Sequence, residues 1–164
     1  MKTSIYWLDA NVFIEAKKGP YAFNLVPQFW VFISDQLEQG TIKCPKMVYD
    51  ELIIGNDDLS AWFKPRREKG LCHHPDEAVQ ACFSNVANHV VASFKPHQAA
   101  EFLLGADGWL IAHAMNGDGI VVTQESDRSH KSKIKIPTIC RVFGVRCINT
   151  YQMLAALGAK LGGI

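Results

Sequence analysis

The feature that most constrains the fold lies near the N-terminus, where a short apolar run ends directly in an acidic residue. Residues 5–8 read Ile-Tyr-Trp-Leu, and Asp9 follows them. A continuous apolar run of this length predicts a strand that is covered on both faces. Open α/β sheets bind their ligands at the carboxyl ends of the strands. Asp9 is therefore predicted to lie at an edge where functional sites are built.

The rest of the chain alternates short apolar runs with amphipathic segments. Further strands are predicted at residues 41–44, 120–123 and 145–148, and helices at 11–17, 21–39, 45–54, 56–63, 75–92, 97–104, 106–115, 137–142 and 149–161. This order predicts an α/β fold with a central parallel sheet of four to five short strands flanked by helices. Because the 164 residues contain no long linker, we expect a single domain over 1–164.

Composition limits the classes of function. Hydrophobic residues make up 48% of the chain and charged residues 20%, which is ordinary for a globular protein, and the net charge of +1 gives no global nucleic-acid signature. No apolar run approaches the roughly 20 residues that span a bilayer, and the N-terminus lacks a signal-peptide pattern. The five cysteines are an odd number without a framework-like spacing, which favours reduced thiols. We expect a cytoplasmic protein without a membrane partner.

Four acidic residues are predicted to lie at the same carboxyl edge of the sheet. They are Asp9, Glu51, Asp107 and Glu125. Carboxylates gathered at one edge repel each other unless a cation neutralises them, and hard oxygen ligands suit Mg²⁺ or Mn²⁺. Such a metal can activate water and stabilise charge on a phosphodiester. The residues alone therefore predict metal-assisted phosphoryl chemistry.

Each acid except Asp9 also has a competing explanation. Asp107 opens a predicted helix, where an acid serves as a cap or dipole partner. Glu51 follows another acid, Asp50, and the helix register decides which of the two points inward. Glu125 competes in the same way with Asp127. The joint placement of the four acids carries more weight than any single position.

The blocks that carry these acids resemble a PIN domain. They read Leu-Asp-Ala-Asn-Val at 8–12, Val-Tyr-Asp-Glu-Leu at 48–52, Ala-Asp-Gly-Trp-Leu-Ile-Ala at 106–112 and Val-Val-Thr-Gln-Glu at 121–125. The order and spacing are similar to those of VapC-type toxins and their less characterised bacterial relatives, over nearly the whole chain. Two departures stand out: the fourth acid is usually Asp in the family, and the segment 64–95 is longer than in small toxins.

The resemblance implies a ribonuclease that uses Mg²⁺ or Mn²⁺. Asp9, Glu51 and Asp107 would hold the first metal, and Glu125 would help with a second metal or orient water. Metal-activated water would cut RNA to leave a 5′-phosphate and a 3′-hydroxyl. The same likeness implies a toxin of a toxin–antitoxin pair, with a cognate antitoxin as partner and a homodimer as the assembly.

Further residues are assigned supporting roles. Asn11 and Thr123 match polar positions near the family's site, and Asp127 is the rival fourth acid. Basic residues in the segments 64–70 and 126–135 are candidates for contacts with RNA phosphates, although a solvated face is the simpler explanation for any one of them. They are Arg66, Arg67, Lys69, Arg128, Lys131 and Lys133.

Other interpretations stay open. The main alternative is a catalytically weak PIN fold that binds RNA or a protein, favoured by Glu125 at the fourth position. A phosphatase of the haloacid dehalogenase type expects a second Asp where Asn11 stands, which argues against it. The Cys72-His73-His74 run with Cys82 matches no standard zinc spacing. His113, on the Asp107 helix, is expected to be a packed histidine.

Overall fold

The computed structural model describes residues 3–126 and 132–162, and within these ranges the chain forms a mixed α/β fold. The strands are β1 Tyr6–Leu8, β2 Ile42–Lys43, β3 Ile120–Val122 and β4 Arg146–Ile148. The helices are α1 Ala10–Lys18, α2 Pro27–Gln39, α3 Lys46–Ile54, α4 Asp58–Glu68, α5 Glu77–Ser93, α6 Pro96–Leu104, α7 Asp107–Asn116, α8 Ile136–Val142 and α9 Thr150–Ala156. None of these described helices is long and apolar enough to cross a membrane.

The strands form one parallel sheet in the order β2-β1-β3-β4. The predicted strand β1 lies inside the sheet, where Trp7 is in register with Lys43 on one side and Val121 on the other. The Asp9 amide extends this ladder by donating to the Val122 carbonyl at 3.0 Å. The predicted fold class is confirmed, and Asp9 lies at the carboxyl edge of the sheet.

Helices cover both faces of the sheet, as the uninterrupted apolar strands require. Tyr6 and Leu8 point into a core that includes side chains of α1, α2, α3, α4 and α9. Trp7 and Val121 point the other way, into a second core with α5, α6, α7 and α8. The alternation of side chains along β1 therefore links two separate cores through one strand.

Two predicted helices are shorter in the structure. The helix expected from residue 21 begins at Pro27, a residue favoured in the first turn because it lacks an amide proton. The preceding segment is fixed instead by tertiary contacts, since the Trp30 indole donates to the Tyr21 carbonyl at 2.7 Å. The helix expected to reach 161 ends at Ala156, just before Gly158 adopts a φ of 66°.

Residues 64–70, whose sequence predicts a surface loop or a frayed helix end, are largely helical in the structure. Helix α4 continues through Pro65 to Glu68. Arg66 stacks its guanidinium 3.6 Å from the Trp62 ring centroid and donates to the Ser34 hydroxyl at 3.0 Å. These tertiary contacts favour the helix where the proline removes one backbone hydrogen bond.

Gly119 is a tight packing point directly before β3. A Cβ at this position would lie 2.7 Å from Trp7 Cδ1 and 3.3 Å from the Ile5 carbonyl oxygen. We expect Gly119→Ala to lower the free energy of unfolding by about 1–3 kcal/mol, because the ring cannot yield within a packed core. Chemical denaturation measures the change. Gly117→Ala, whose Cβ meets nothing within 4 Å, is the matched control, and equal stability of the two variants would contradict the packing argument.

Candidate functional site

Asp9 is a buried carboxylate at the junction of β1 and α1. Its side chain is 4% exposed, and Thr123, which follows β3, donates its hydroxyl to Asp9 Oδ2 at 2.9 Å. The pKa of Asp9 is raised to about 7, chiefly by burial; the nearby Glu125 and Glu51 carboxylates contribute to the increase, and the Thr123 hydrogen bond opposes it. Asp9 at the end of the apolar strand β1 is therefore poorly solvated and lies near other acids.

Asp107 brings a second carboxylate to the same edge from the first residue of α7. Its pKa is raised to about 8, chiefly by burial and in addition by the charges of Asp9, Glu125 and Glu51. Lys133 opposes the increase. Asp9 and Asp107 are 98 positions apart in the numbering, yet the fold places them within each other's electrostatic reach.

The register of α3 distinguishes Glu51 from Asp50. Asp50 forms an ion pair with Lys46 at 2.6 Å on its own helix. Glu51 Oε1 instead accepts the Ala106 amide at 3.1 Å, directly before α7 begins. Of the two adjacent acids, Glu51 is therefore the one that lies against the Asp107 helix.

Glu125 lies beside the acids and also holds a helix. Its Oε2 accepts the amide of Ile136, the first residue of α8, at 2.9 Å, while Lys133 Nζ lies 4.0 Å from Oε1. Its own amide donates to the Thr123 hydroxyl at 3.1 Å. The rival fourth acid, Asp127, lies outside the described residues.

The predicted supporting residues Asn11 and Thr123 lie together. Asn11 Oδ1 accepts the Gln124 amide at 3.0 Å and lies 3.4 Å from the Thr123 hydroxyl. Gln124 was not predicted as a site residue, yet its Oε1 accepts both the amide and the hydroxyl of Thr150 at 3.1 and 3.0 Å. A polar residue between Thr123 and Glu125 was the available signal, but its partner at Thr150 is visible only in the fold.

The predicted RNA-binding residues differ in their surroundings. Arg66 is engaged within the protein by Trp62 and Ser34, as described above. Arg67 lies 3.8 Å from Asp50 and Lys69 lies 3.6 Å from Glu38, both as surface ion pairs. Lys133 contacts Glu125 of the acidic group. Arg128 and Lys131 lie outside the described residues.

The four acids form an oxygen-rich group without a preformed metal cage. Across residues 3–126 and 132–162, no three His, Cys, Asp or Glu side chains converge to the separations of a metal site. This finding covers the Cys72-His73-His74 run, where Cys72 Sγ lies 3.8 Å from His74 Nε2. The donor chemistry of the acids is nevertheless that of Mg²⁺ and Mn²⁺, and the pKa values of Asp9 and Asp107 are raised by burial first and by the neighbouring carboxylates second.

Comparison with known proteins identifies the family of this chain. The family model described as "Domain of unknown function (DUF4411)" matches residues 6–161. The chain belongs to the DUF4411 family. No curated protein matches this DUF4411 chain.

Solved structures with a similar fold cover most of this DUF4411 chain. FitAcB from Neisseria gonorrhoeae superposes with a TM-score of 0.54 at 18% identity, over 90% of this chain and 99% of that one. FitAB bound to the IR36 DNA fragment gives 0.53 at 15% identity, over 88% and 94%. At this identity the likeness concerns the fold, which is PIN-like, as the sequence resemblance implied.

Proposed function

We propose that this DUF4411 protein is a Mg²⁺- or Mn²⁺-dependent endoribonuclease. The observation that carries the proposal is the pair of poorly solvated carboxylates, Asp9 and Asp107, that two distant segments bring to one sheet edge. The charge of Asp9 raises the pKa of Asp107, and the charges of Glu125 and Glu51 raise the pKa values of both. A structural acid in a helix's first turn gains by being ionised beside the helix dipole, whereas Asp107 is held toward its neutral form.

A divalent cation fits the chemistry of this group. Asp9, Asp107 and Glu51 would hold it through carboxylate oxygens, directly or through water, and Glu125 would complete the set. When bound, the metal supplies charge neutralisation, activation of a water nucleophile and stabilisation of charge on the scissile phosphodiester. Because the described acids form no preformed cage, binding would draw their side chains closer together.

The protein's own residues orient this group. Thr123 donates its hydroxyl to Asp9 Oδ2 and so fixes the orientation of the carboxyl group. Glu51 is anchored by the Ala106 amide, which keeps α3 in place against the start of α7. Lys133 lies beside Glu125, where its ammonium can meet a substrate phosphate at the edge of the acidic group. The acids would therefore be positioned before RNA arrives.

The finer assignment rests on the sequence resemblance. The likeness to VapC-type toxins supports RNA as the substrate, a cognate antitoxin as the partner and a homodimer as the assembly. It also supports a role as the toxin of a toxin–antitoxin pair. FitAB is described with a DNA fragment, and an assembly of this chain with a DNA-binding partner would be the corresponding arrangement.

One observation favours the alternative, a catalytically weak module that binds RNA or a protein. The Glu125 carboxylate already accepts a hydrogen bond from the Ile136 amide, so the fourth acid has a structural role at the start of α8. A module of this kind would bind RNA without cutting it, and this outcome separates it from the proposed enzyme.

The decisive experiment is an RNA cleavage assay with and without added divalent cation. We expect cleavage with Mn²⁺ or Mg²⁺, products with 5′-phosphate ends, and no cleavage in excess chelator, because the acids alone supply no cation to neutralise the phosphodiester. Filter binding of the same RNA without metal measures affinity separately. Binding without cleavage under every metal condition would replace the enzyme with the weak module, and cleavage in chelator would contradict the metal mechanism.

A further inference from the structure

A polar cavity lies beside the edge strand β2, on the face of the sheet that carries Trp7. This histidine cleft has a volume of about 230 Å³ and is lined by Trp7, Lys43, His73, His74, Asp76 and His113, among others. His113 lies six residues after Asp107 on α7, which is about 9 Å further along the helix. The cleft shares no lining residue with the acidic group described above.

The cleft collects groups that can carry positive charge. Lys43 and three histidines line it, and Asp76 is the one acid among its described lining residues. Asp76 is partly committed elsewhere, because its Oδ1 accepts the Val79 amide at 2.9 Å as the N-cap of α5. Lys43 and Asp76 bring opposite charges, so the cleft gains a net positive charge when one of its histidines is protonated.

His113 is the most constrained member of the cleft. It is 4% exposed and stacks on Trp7 with ring centroids 4.6 Å apart. Its Nε2 is buried and has no hydrogen-bond partner in the described part of the chain. A buried polar atom without a partner destabilises the fold unless something compensates for it. An ionic ligand in the adjoining cleft would provide such compensation when the ring is protonated.

Two histidines of the cleft are held toward their neutral forms. The pKa of His113 is lowered to about 4, chiefly by burial, with His73 and Lys43 adding to the decrease and Asp76 opposing it. Burial also lowers the pKa of His73, and the adjacent Lys43 and His74 add to the effect. Protonation of either ring would add a positive charge beside Lys43, with Asp76 as the one acid among the described lining residues.

We propose that the histidine cleft binds a small dianion of the phosphate class, held by Lys43 and His73 at its mouth and by His113 in its wall. The volume admits a phosphate with a small organic group and excludes a folded macromolecule. Lys43 supplies a compact point charge, and imidazolium N–H groups form charge-assisted hydrogen bonds with phosphate oxygens. A transition metal fits poorly, because no three described ligands converge and an ammonium group shares the cleft.

Binding of the dianion is coupled to proton uptake. Since burial holds His73 and His113 toward their neutral forms, the bound anion raises their pKa values and draws protons from solution. For each proton taken up on binding, the affinity increases by up to about tenfold per unit fall in pH.

Calorimetric titration with inorganic phosphate in metal-free buffer tests the proposal. We expect sulfate, which keeps two negative charges at both pH values, to bind several-fold tighter at pH 6 than at pH 7.5, with net proton uptake when buffers of different ionisation enthalpy are compared. Phosphate itself takes up a proton in this range, so its affinity for the wild type and the variants is compared at a single pH. Lys43→Gln should weaken binding about tenfold or more, since it removes a charge-assisted contact. His73→Gln should weaken binding and reduce the pH dependence, and it serves as the second variant should Lys43→Gln fail to fold.

The matched control is Lys95→Gln, which removes the same charge from an exposed residue at the N-cap of α6, outside the cleft. It should bind phosphate like the wild type. Sulfate should compete with phosphate, and acetate should bind more weakly. Absence of binding at pH 6, an equal loss in Lys95→Gln, or unchanged affinity in both cleft variants would overturn the proposal. The result is independent of RNA cleavage.

Discussion

Asp107→Asn and Asp9→Asn are each expected to lower the rate of RNA cleavage by about 100-fold or more. Each substitution keeps the shape of the side chain but removes a full negative charge from the proposed metal-binding group. The metal contributes several kcal/mol to transition-state stabilisation, and about 2.7 kcal/mol corresponds to a factor of 100 in rate. Initial rates on a fluorogenic RNA at saturating Mn²⁺ measure the effect.

Asp118→Asn is the matched control for these two variants. Asp118 is an exposed turn residue with a φ of 52°, a conformation that asparagine also accepts, so the change removes one charge without backbone strain. We expect its activity to equal that of the wild type. Wild-type rates in both Asp9→Asn and Asp107→Asn would show that the acidic group is not the reaction centre.

The free energy of unfolding is expected to fall by about 2 kcal/mol between pH 6.5 and pH 9 in metal-free buffer. The folded-state pKa values of Asp9 and Asp107, about 7 and about 8, lie above the ordinary value of 3.8. The folded state therefore keeps protons that the unfolded chain has released. Their stabilising contribution is complete below pH 3.8 and is lost as the pH rises through 7 and 8. Urea denaturation at several pH values measures it.

The choice of pH range avoids an opposing effect from His113. Its lowered pKa makes the fold less stable as the pH falls from 6.5 toward 4, because the unfolded chain takes up the proton first. Above pH 6.5 the two carboxylates should dominate. Asp107→Asn should flatten the pH dependence and raise stability at pH 9. An unchanged slope in that variant would show that Asp107 is not the group responsible.

Local sequence was sufficient to predict the parts of the site that depend on one segment. The apolar run before Asp9 placed that acid at the end of a strand, and the Ala106-Asp107 start of α7 was predicted within a residue. Both follow from short-range patterns, namely strand burial and the polar start of a helix. The likeness to PIN domains then predicted which acids would share an edge.

Features that depend on distant partners were beyond local patterns. The choice of Glu51 over Asp50 depends on an amide 55 positions away, at Ala106. The helical course of residues 64–68 is supported by Ser34 on α2, 32 positions before Arg66, in addition to the Trp62 contact within α4 itself. The histidine cleft was missed because Lys43, His73 and His113 lie in three separate segments, and its charge balance exists only after they meet.

The long sequence separation within the acidic site also matters while the chain is being made. The Thr123–Asp9 hydrogen bond joins residues 114 positions apart. At about 5–20 residues per second, a ribosome needs roughly 6 to 23 seconds to add this stretch after Asp9. Asp9 therefore emerges long before Thr123 and Glu125 exist, so an incomplete nascent chain cannot possess the assembled site. If the proposed activity is correct, the translating ribosome is exposed to it only after most of the chain has been made.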